Sequence, residues 1–101
     1  MYHLAFRYLQ QTIKAMATVE VYTTMMCPFC TRATRLLKQK GVDYDEVDVT
    51  FHPGKRRAMA KRAGRRSVPQ IWINGEHVGG SDELCALDAE GKLDGMLAEG
   101  A

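Results

Sequence analysis

The sequence predicts a small α/β domain whose elements run strand, helix, strand, helix, strand, strand, helix. Three observations predict it. Short apolar runs at period two alternate with stretches of helical spacing. Asn74-Gly75 stands between two apolar runs, a strong short-range hairpin signal. A Cys-x-x-Cys pair, Cys27 and Cys30, falls where the first strand gives way to the first helix. At 101 residues, with 46% hydrophobic and 26% charged residues, the chain has room for one globular domain.

The elements follow in order. Residues 1–15, "MYHLAFRYLQQTIKA", carry no acid, glycine or proline and stop just before a second methionine, Met16. They are expected to be a leader or appended extension, with the domain occupying 16–101; they lack the apolar centre of a secretory signal and the serines of a transit peptide. "TVEVY" (18–22) is the first strand, with Val19 and Val21 on one side. Ala33, Leu36 and Leu37 then recur at helical spacing, and Gly41 supplies a left-handed stop. "DYDEVDV" (43–49) is a second strand, reached through a helical crossover and hence parallel to the first. "HPG" breaks the chain, and "KRRAMAKRA" (55–63) forms a helix ending at Gly64. "PQIWING" and "EHVGG" give antiparallel strands around the Asn-Gly turn. "SDELCALDAEGKLDGML" closes the chain as one helix, with Ser81 as its N-cap and Leu84, Leu87, Leu93, Met96 and Leu97 as its buried stripe.

Several function classes drop out. No stretch approaches the 18 or so apolar residues of a membrane span. Three cysteines, two of them close neighbours, do not make a secreted disulfide scaffold. The formal charge of +2 conceals a segregation: seven basic residues and no acid lie between Gly54 and Arg66, whereas Asp82 to Ala101 holds six acids against Lys92. Such a basic face suits nucleic acid, an acidic partner or a small anion, but no aromatic residues interleave with its charges as single-strand binding would favour. No nucleic-acid partner is expected.

The cysteine pair carries the chemistry. Cys27 stands at a helix N-terminus, where free backbone N–H groups and the positive end of the helix dipole favour a thiolate. Pro28 suits the first helical turn, since its missing N–H costs no bond there. Cys30, one turn on, faces the same way at a separation that a disulfide can span. Zinc would need further ligands, and only Cys85, His3, His52 and His77 remain, none at a second metal spacing. No metal is expected. Cys85, beside Leu84 and Leu87, reads as a small core residue.

Three separated segments, "VEVYTTMMCPFC", "SVPQIWING" and "HVGGSDEL", resemble in order and spacing those of glutaredoxins, most closely the small bacterial dithiol type. The resemblance covers Val19 to about Leu97. It implies a thioredoxin-like fold, a four-stranded mixed sheet flanked by three helices, and a glutathione-dependent thiol–disulfide oxidoreductase. Glutathione would be co-substrate, glutathionylated or disulfide-containing proteins the partners, and the enzyme a cytoplasmic monomer.

Carried onto this chain, the resemblance makes Cys27 the nucleophile and Cys30 the resolving thiol. Phe29 takes the place of the family's usual tyrosine. Ser67, Val68 and Pro69 match a segment whose proline is cis and whose valine backbone pairs with the cysteine moiety of glutathione. Gly80, Ser81 and Asp82 match the segment that holds its γ-glutamyl end, with Asp82 facing the ammonium. Many relatives place lysine three residues before the first cysteine, against the glycine carboxylate; this chain has Thr24, and Arg65 or Arg66 is the expected substitute. An alternative is a cluster holder, in which Cys27 and glutathione from two subunits grip an iron–sulfur cluster; Pro28 disfavours it. A thioredoxin-like reductant served by a protein reductase is a weaker alternative, which "GGSD" disfavours.

Overall fold

The computed structural model describes residues 17–99, so the expected extension at 1–15 lies outside the described residues. Strands β1 (Val19–Thr23), β2 (Asp45–Asp48), β3 (Gln70–Ile73) and β4 (Glu76–Gly79) form one sheet in the order β2-β1-β3-β4. β1 and β2 are parallel, and the other two pairings are antiparallel, which makes the sheet mixed. Helix α1 (Pro28–Gln39) provides the crossover between the parallel strands, as the βαβ reading requires.

The period-two pattern of β1 sorts the layers. Val19 and Val21, each at most 1% exposed, join Ile71 and Ile73 of β3 on one face. Ala33 and Leu37 of α1 pack there, with Leu84 of α3 (Ser81–Ala89) and Leu93 and Leu97 of α4 (Leu93–Ala98). The opposite face carries Tyr22 and Trp72, with rings edge to face at 5.3 Å. Helix α2 (Pro53–Ala63) supplies Arg62 there, its guanidinium 4.1 Å from the Trp72 ring centre and its Nη1 2.9 Å from Glu20.

Three expectations about helix ends change. "HPG" does not interrupt the chain but opens α2, with His52 as N-cap and Pro53 in the first turn, where a proline costs no hydrogen bond. The C-terminal segment is two helices, because Gly91 adopts φ 73° between α3 and α4. Gly80, not Ser81, is the N-cap of α3; Ser81 is the first helical residue. The hairpin is as expected, with Asn74 at φ 52° and Gly75 at φ 81°. Asn74 does more than turn the chain: its Oδ1 accepts from Thr18 N at 2.9 Å and its Nδ2 donates to Glu99 O at 2.8 Å. One side chain thus ties the entry to β1, the β3–β4 turn and the end of α4.

Candidate active site

Cys27 is the N-cap of α1, with extended backbone (φ −110°, ψ 104°). Its Sγ accepts a hydrogen bond from Cys30 N at 3.2 Å, the capping interaction that a helix start offers to an acceptor side chain. The bond holds the sulfur in place at the helix start. The residue before it, Met26, takes φ 54°, uncommon outside glycine, and turns its side chain out to 97% exposure. The loop is tied down by Met25 N, which donates to Thr50 Oγ1 at 2.8 Å.

Cys30 is only 5% exposed, although both thiols are free. Burial pushes its thiol up to about 12, reinforced by its hydrogen bond with Cys27 and by the negative charges of Cys27 and Glu46, against a smaller opposing contribution from the Thr24 backbone. The pair is therefore unequal. Cys27 faces the surface and Cys30 waits beneath it as a thiol.

Beside Cys27 runs an open groove of ≈ 170 Å³. Cys27 Sγ lies 3.9 Å from the Val68 carbonyl oxygen, and the Val68-Pro69 peptide is cis. Phe29, Ser67, Val68, Pro69, Gly80, Ser81 and Asp82, seven residues singled out from sequence, all line the groove. A Cβ on Gly80 would come 3.3 Å from the Pro69 carbonyl oxygen, so glycine is what lets the two walls approach. Of the two candidate arginines, Arg65 lines this groove, whereas Arg66 lines another with Arg56 and Arg57. Thr24 stands apart from it too, in a separate cavity that Cys27 also lines.

The groove's charges come in pairs. Arg65 bonds Glu83, whose carboxyl it holds below its ordinary value, and Glu83 also accepts from Gly80 N at 3.3 Å. Arg32 of α1 bonds Asp82, places its Nε 2.6 Å from Ser81 Oγ, and lies 5.6 Å over the Phe29 ring. Neither Arg32 nor Glu83 was singled out from sequence. For Glu83 the signal was present, since an acid three residues after an N-cap is half of a capping box. For Arg32 the only hint was its place one turn beyond Phe29, on the same helix face as the groove. Cys85, expected in the core, is half-buried on α3.

A sequence model of the Glutaredoxin family matches residues 19–78. The chain belongs to the glutaredoxin family. It is 51% identical over 82 residues to Glutaredoxin 3 of Escherichia coli K12, an alignment covering 81% of this chain and 99% of that one. It is 49% identical over 83 residues to a glutaredoxin of Pseudomonas aeruginosa, covering 82% and 99%. Among solved structures, glutaredoxin from Brucella melitensis superposes with a TM-score of 0.75 at 46% identity, covering 83% of this chain and 91% of that one. A buckwheat glutaredoxin–glutathione complex superposes with the same TM-score at 26% identity, covering 94% and 88%. As a glutaredoxin the chain is a thiol–disulfide oxidoreductase, and its mixed four-stranded sheet with flanking helices is the family's thioredoxin-like fold. Among the described residues no helix is long and apolar enough to cross a membrane, and no three His, Cys, Asp or Glu side chains cluster to hold a metal.

Proposed function

We propose that this glutaredoxin reduces glutathione mixed disulfides and protein disulfides, with glutathione as electron donor. The observation that carries the reading is the groove beside Cys27, walled by Val68-Pro69 on one side and Gly80-Ser81-Asp82 on the other. An extended tripeptide laid along it would pair its backbone with Val68 in the manner of an added strand. Its γ-glutamyl end would meet the Arg32–Asp82 pair at the start of α3, where cation and anion match a zwitterionic ammonium and carboxylate. Its glycine carboxylate would reach toward Arg65. That the buckwheat relative was solved as a glutathione complex supports glutathione as the ligand.

The chemistry follows from the unequal thiols. Cys27 sulfur attacks the glutathione sulfur of a mixed disulfide; the substrate sulfur leaves with the electron pair and takes a proton. The enzyme is left as a Cys27–glutathione disulfide. A second glutathione thiolate then attacks the bound glutathione's sulfur, releasing glutathione disulfide and Cys27. Alternatively, Cys30 attacks Cys27 sulfur, forming the Cys27–Cys30 disulfide and freeing glutathione. In this reading the enzyme works as a monomer in the cytoplasm, on glutathionylated or disulfide-containing proteins.

The deciding experiment supplies one mixed-disulfide substrate with either glutathione and glutathione reductase or a thioredoxin reductase system. Turnover is expected with glutathione. Turnover with the protein reductase alone would instead mark the chain as a thioredoxin-like reductant.

A further inference from the structure

A separate cavity of ≈ 120 Å³, sharing no lining residue with the groove, opens onto both cysteines. One water needs about 10–15 Å³ of such space, so several fit. Among the described residues, and apart from Cys27 and Cys30, the only titratable group lining it is Glu46 of β2; the other lining residues are Thr23, Thr24, Met26, Thr31 and Thr34. The fold puts Glu46 there for a simple reason. In the parallel register it stands opposite Val21, so it faces the layer that holds α1 and Cys30. Thr23, 2% exposed, donates from Oγ1 to Glu46 Oε2 at 3.0 Å and fixes the carboxylate. Among the described residues no other hydrogen bond reaches that carboxylate, and the Glu46 side chain is otherwise exposed to solvent. The neighbouring charges point elsewhere: Asp48 receives Thr50, Glu20 receives Arg62, and Arg32 engages Ser81 and Asp82.

We infer that Glu46, through water in this cavity, is the proton acceptor for Cys30 when Cys30 resolves the disulfide on Cys27. The inference rests on the proposed glutathione chemistry for its substrate, but only on the cysteine pair for its geometry. Cys30 is buried and held as a thiol, so it cannot attack until its proton leaves. In the step, the Cys30 S–H proton passes to Glu46. Cys30 sulfur then bonds Cys27 sulfur, the Cys27–glutathione bond breaks, and glutathione departs as a thiolate that is protonated from Glu46 or water. Cys30 is oxidised, Cys27 stays at the disulfide level, and the departing glutathione sulfur is reduced.

The charge of Glu46 could have had the contrary effect, since an anion beside Cys30 also disfavours its thiolate. The two roles predict opposite signs. The test is a rapid-quench reaction in which the reduced enzyme is loaded at Cys27 with glutathione disulfide. It is run in parallel with 2-hydroxyethyl disulfide, an uncharged reagent that does not need the groove. Mass spectrometry follows decay of the adduct to the Cys27–Cys30 disulfide. Glu46→Gln is expected to slow that decay about tenfold with either reagent, less than the roughly hundredfold or more typical of positioned proton transfer because water remains as a substitute. It is also expected to steepen the rise of the rate with pH, and Glu46→Asp should recover part of the rate. Unchanged or faster decay overturns the proposal, the latter showing that Glu46 only repels charge. An equal loss in adduct formation also overturns it, because the effect then falls on Cys27 or the fold. Loading by 2-hydroxyethyl disulfide but not by glutathione disulfide would count against the glutathione reading alone, and the decay comparison would still stand.

Discussion

Replacing Arg65 with alanine is expected to raise the KM for glutathione two- to fivefold, while Arg66→Ala leaves it within about twofold. The magnitude follows from exposure. The Arg65 and Glu83 side chains are 46% and 41% exposed, so an ion pair made there is worth about 1 kcal/mol or less, and 1 kcal/mol is about fivefold. In the proposed complex the ligand carboxylate would also share Arg65 with Glu83, which keeps the gain small. Glu83→Gln, which releases Arg65 from its partner, should therefore lower KM, at some cost to the start of α3 because Gly80 N donates to Glu83. Arg66 contributes to a different groove with Arg56 and Arg57, and its carbonyl accepts from Arg56. The assay is the glutathione-coupled reduction with glutathione varied, repeated across a salt series; the Arg65 effect should shrink as screening shortens to a few ångströms. The reasoning is refuted if Arg66→Ala raises KM while Arg65→Ala is silent, or if Glu83→Gln raises KM with the thermal midpoint intact.

Cys27→Ser should abolish exchange, whereas Cys30→Ser should retain reduction of glutathione mixed disulfides and lose most dithiol-only reduction; substantial turnover by Cys27→Ser would reverse the roles. The raised titration of Cys30 has a stability consequence. Its stabilising contribution is fully present below the ordinary thiol value of 9.0 and is lost as pH rises toward about 12, so the urea midpoint should fall over that window. The fall should be shallower in Cys30→Ser. Asn74→Ala removes hydrogen bonds to Thr18 and Glu99 and leaves a non-glycine residue at φ 52° without its local partner, costing about 2 kcal/mol and lowering Tm by roughly 10 °C; a drop of less than 2 °C would show that the tie is idle.

Local chemistry was legible in the sequence, and long-range pairing was not. Asn74-Gly75 announces its hairpin because few residues accept two successive positive φ values, and Cys27-Pro28 announces a helix start because proline and an acceptor side chain suit its first turn. "HPG" was ambiguous for the same reason: proline tolerates a helix start as readily as it ends one. The split between α3 and α4 left a trace in the spacing, since Leu87 and Leu93 are six apart and break the three-four rhythm at Gly91. Arg65 and Arg66 could not be told apart, because the segment after Gly64 is irregular and has no period from which to read a facing. The Arg32–Asp82 pair joins residues 50 positions apart and depends on how α1 packs against α3, which local patterning does not encode.

The pairing of the groove's charges bears on how tightly it should hold a ligand. Arg32 with Asp82 and Arg65 with Glu83 leave the walls nearly neutral. A ligand carrying one ammonium and two carboxylates would then exchange ion pairs, not find isolated charges. Each exchange between half-exposed groups returns little free energy. Most of the holding power would fall to the Val68 backbone and the N–H groups at the start of α3, at about 0.5–1.5 kcal/mol for each hydrogen bond. Weak holding is an advantage for an enzyme of this type. In the proposed cycle glutathione leaves at every turn, and binding it as tightly as the transition state would lower KM without raising kcat. The rate is better served where the sulfurs meet, at the cap of α1, where Cys30 N donates to Cys27 Sγ and holds it in place.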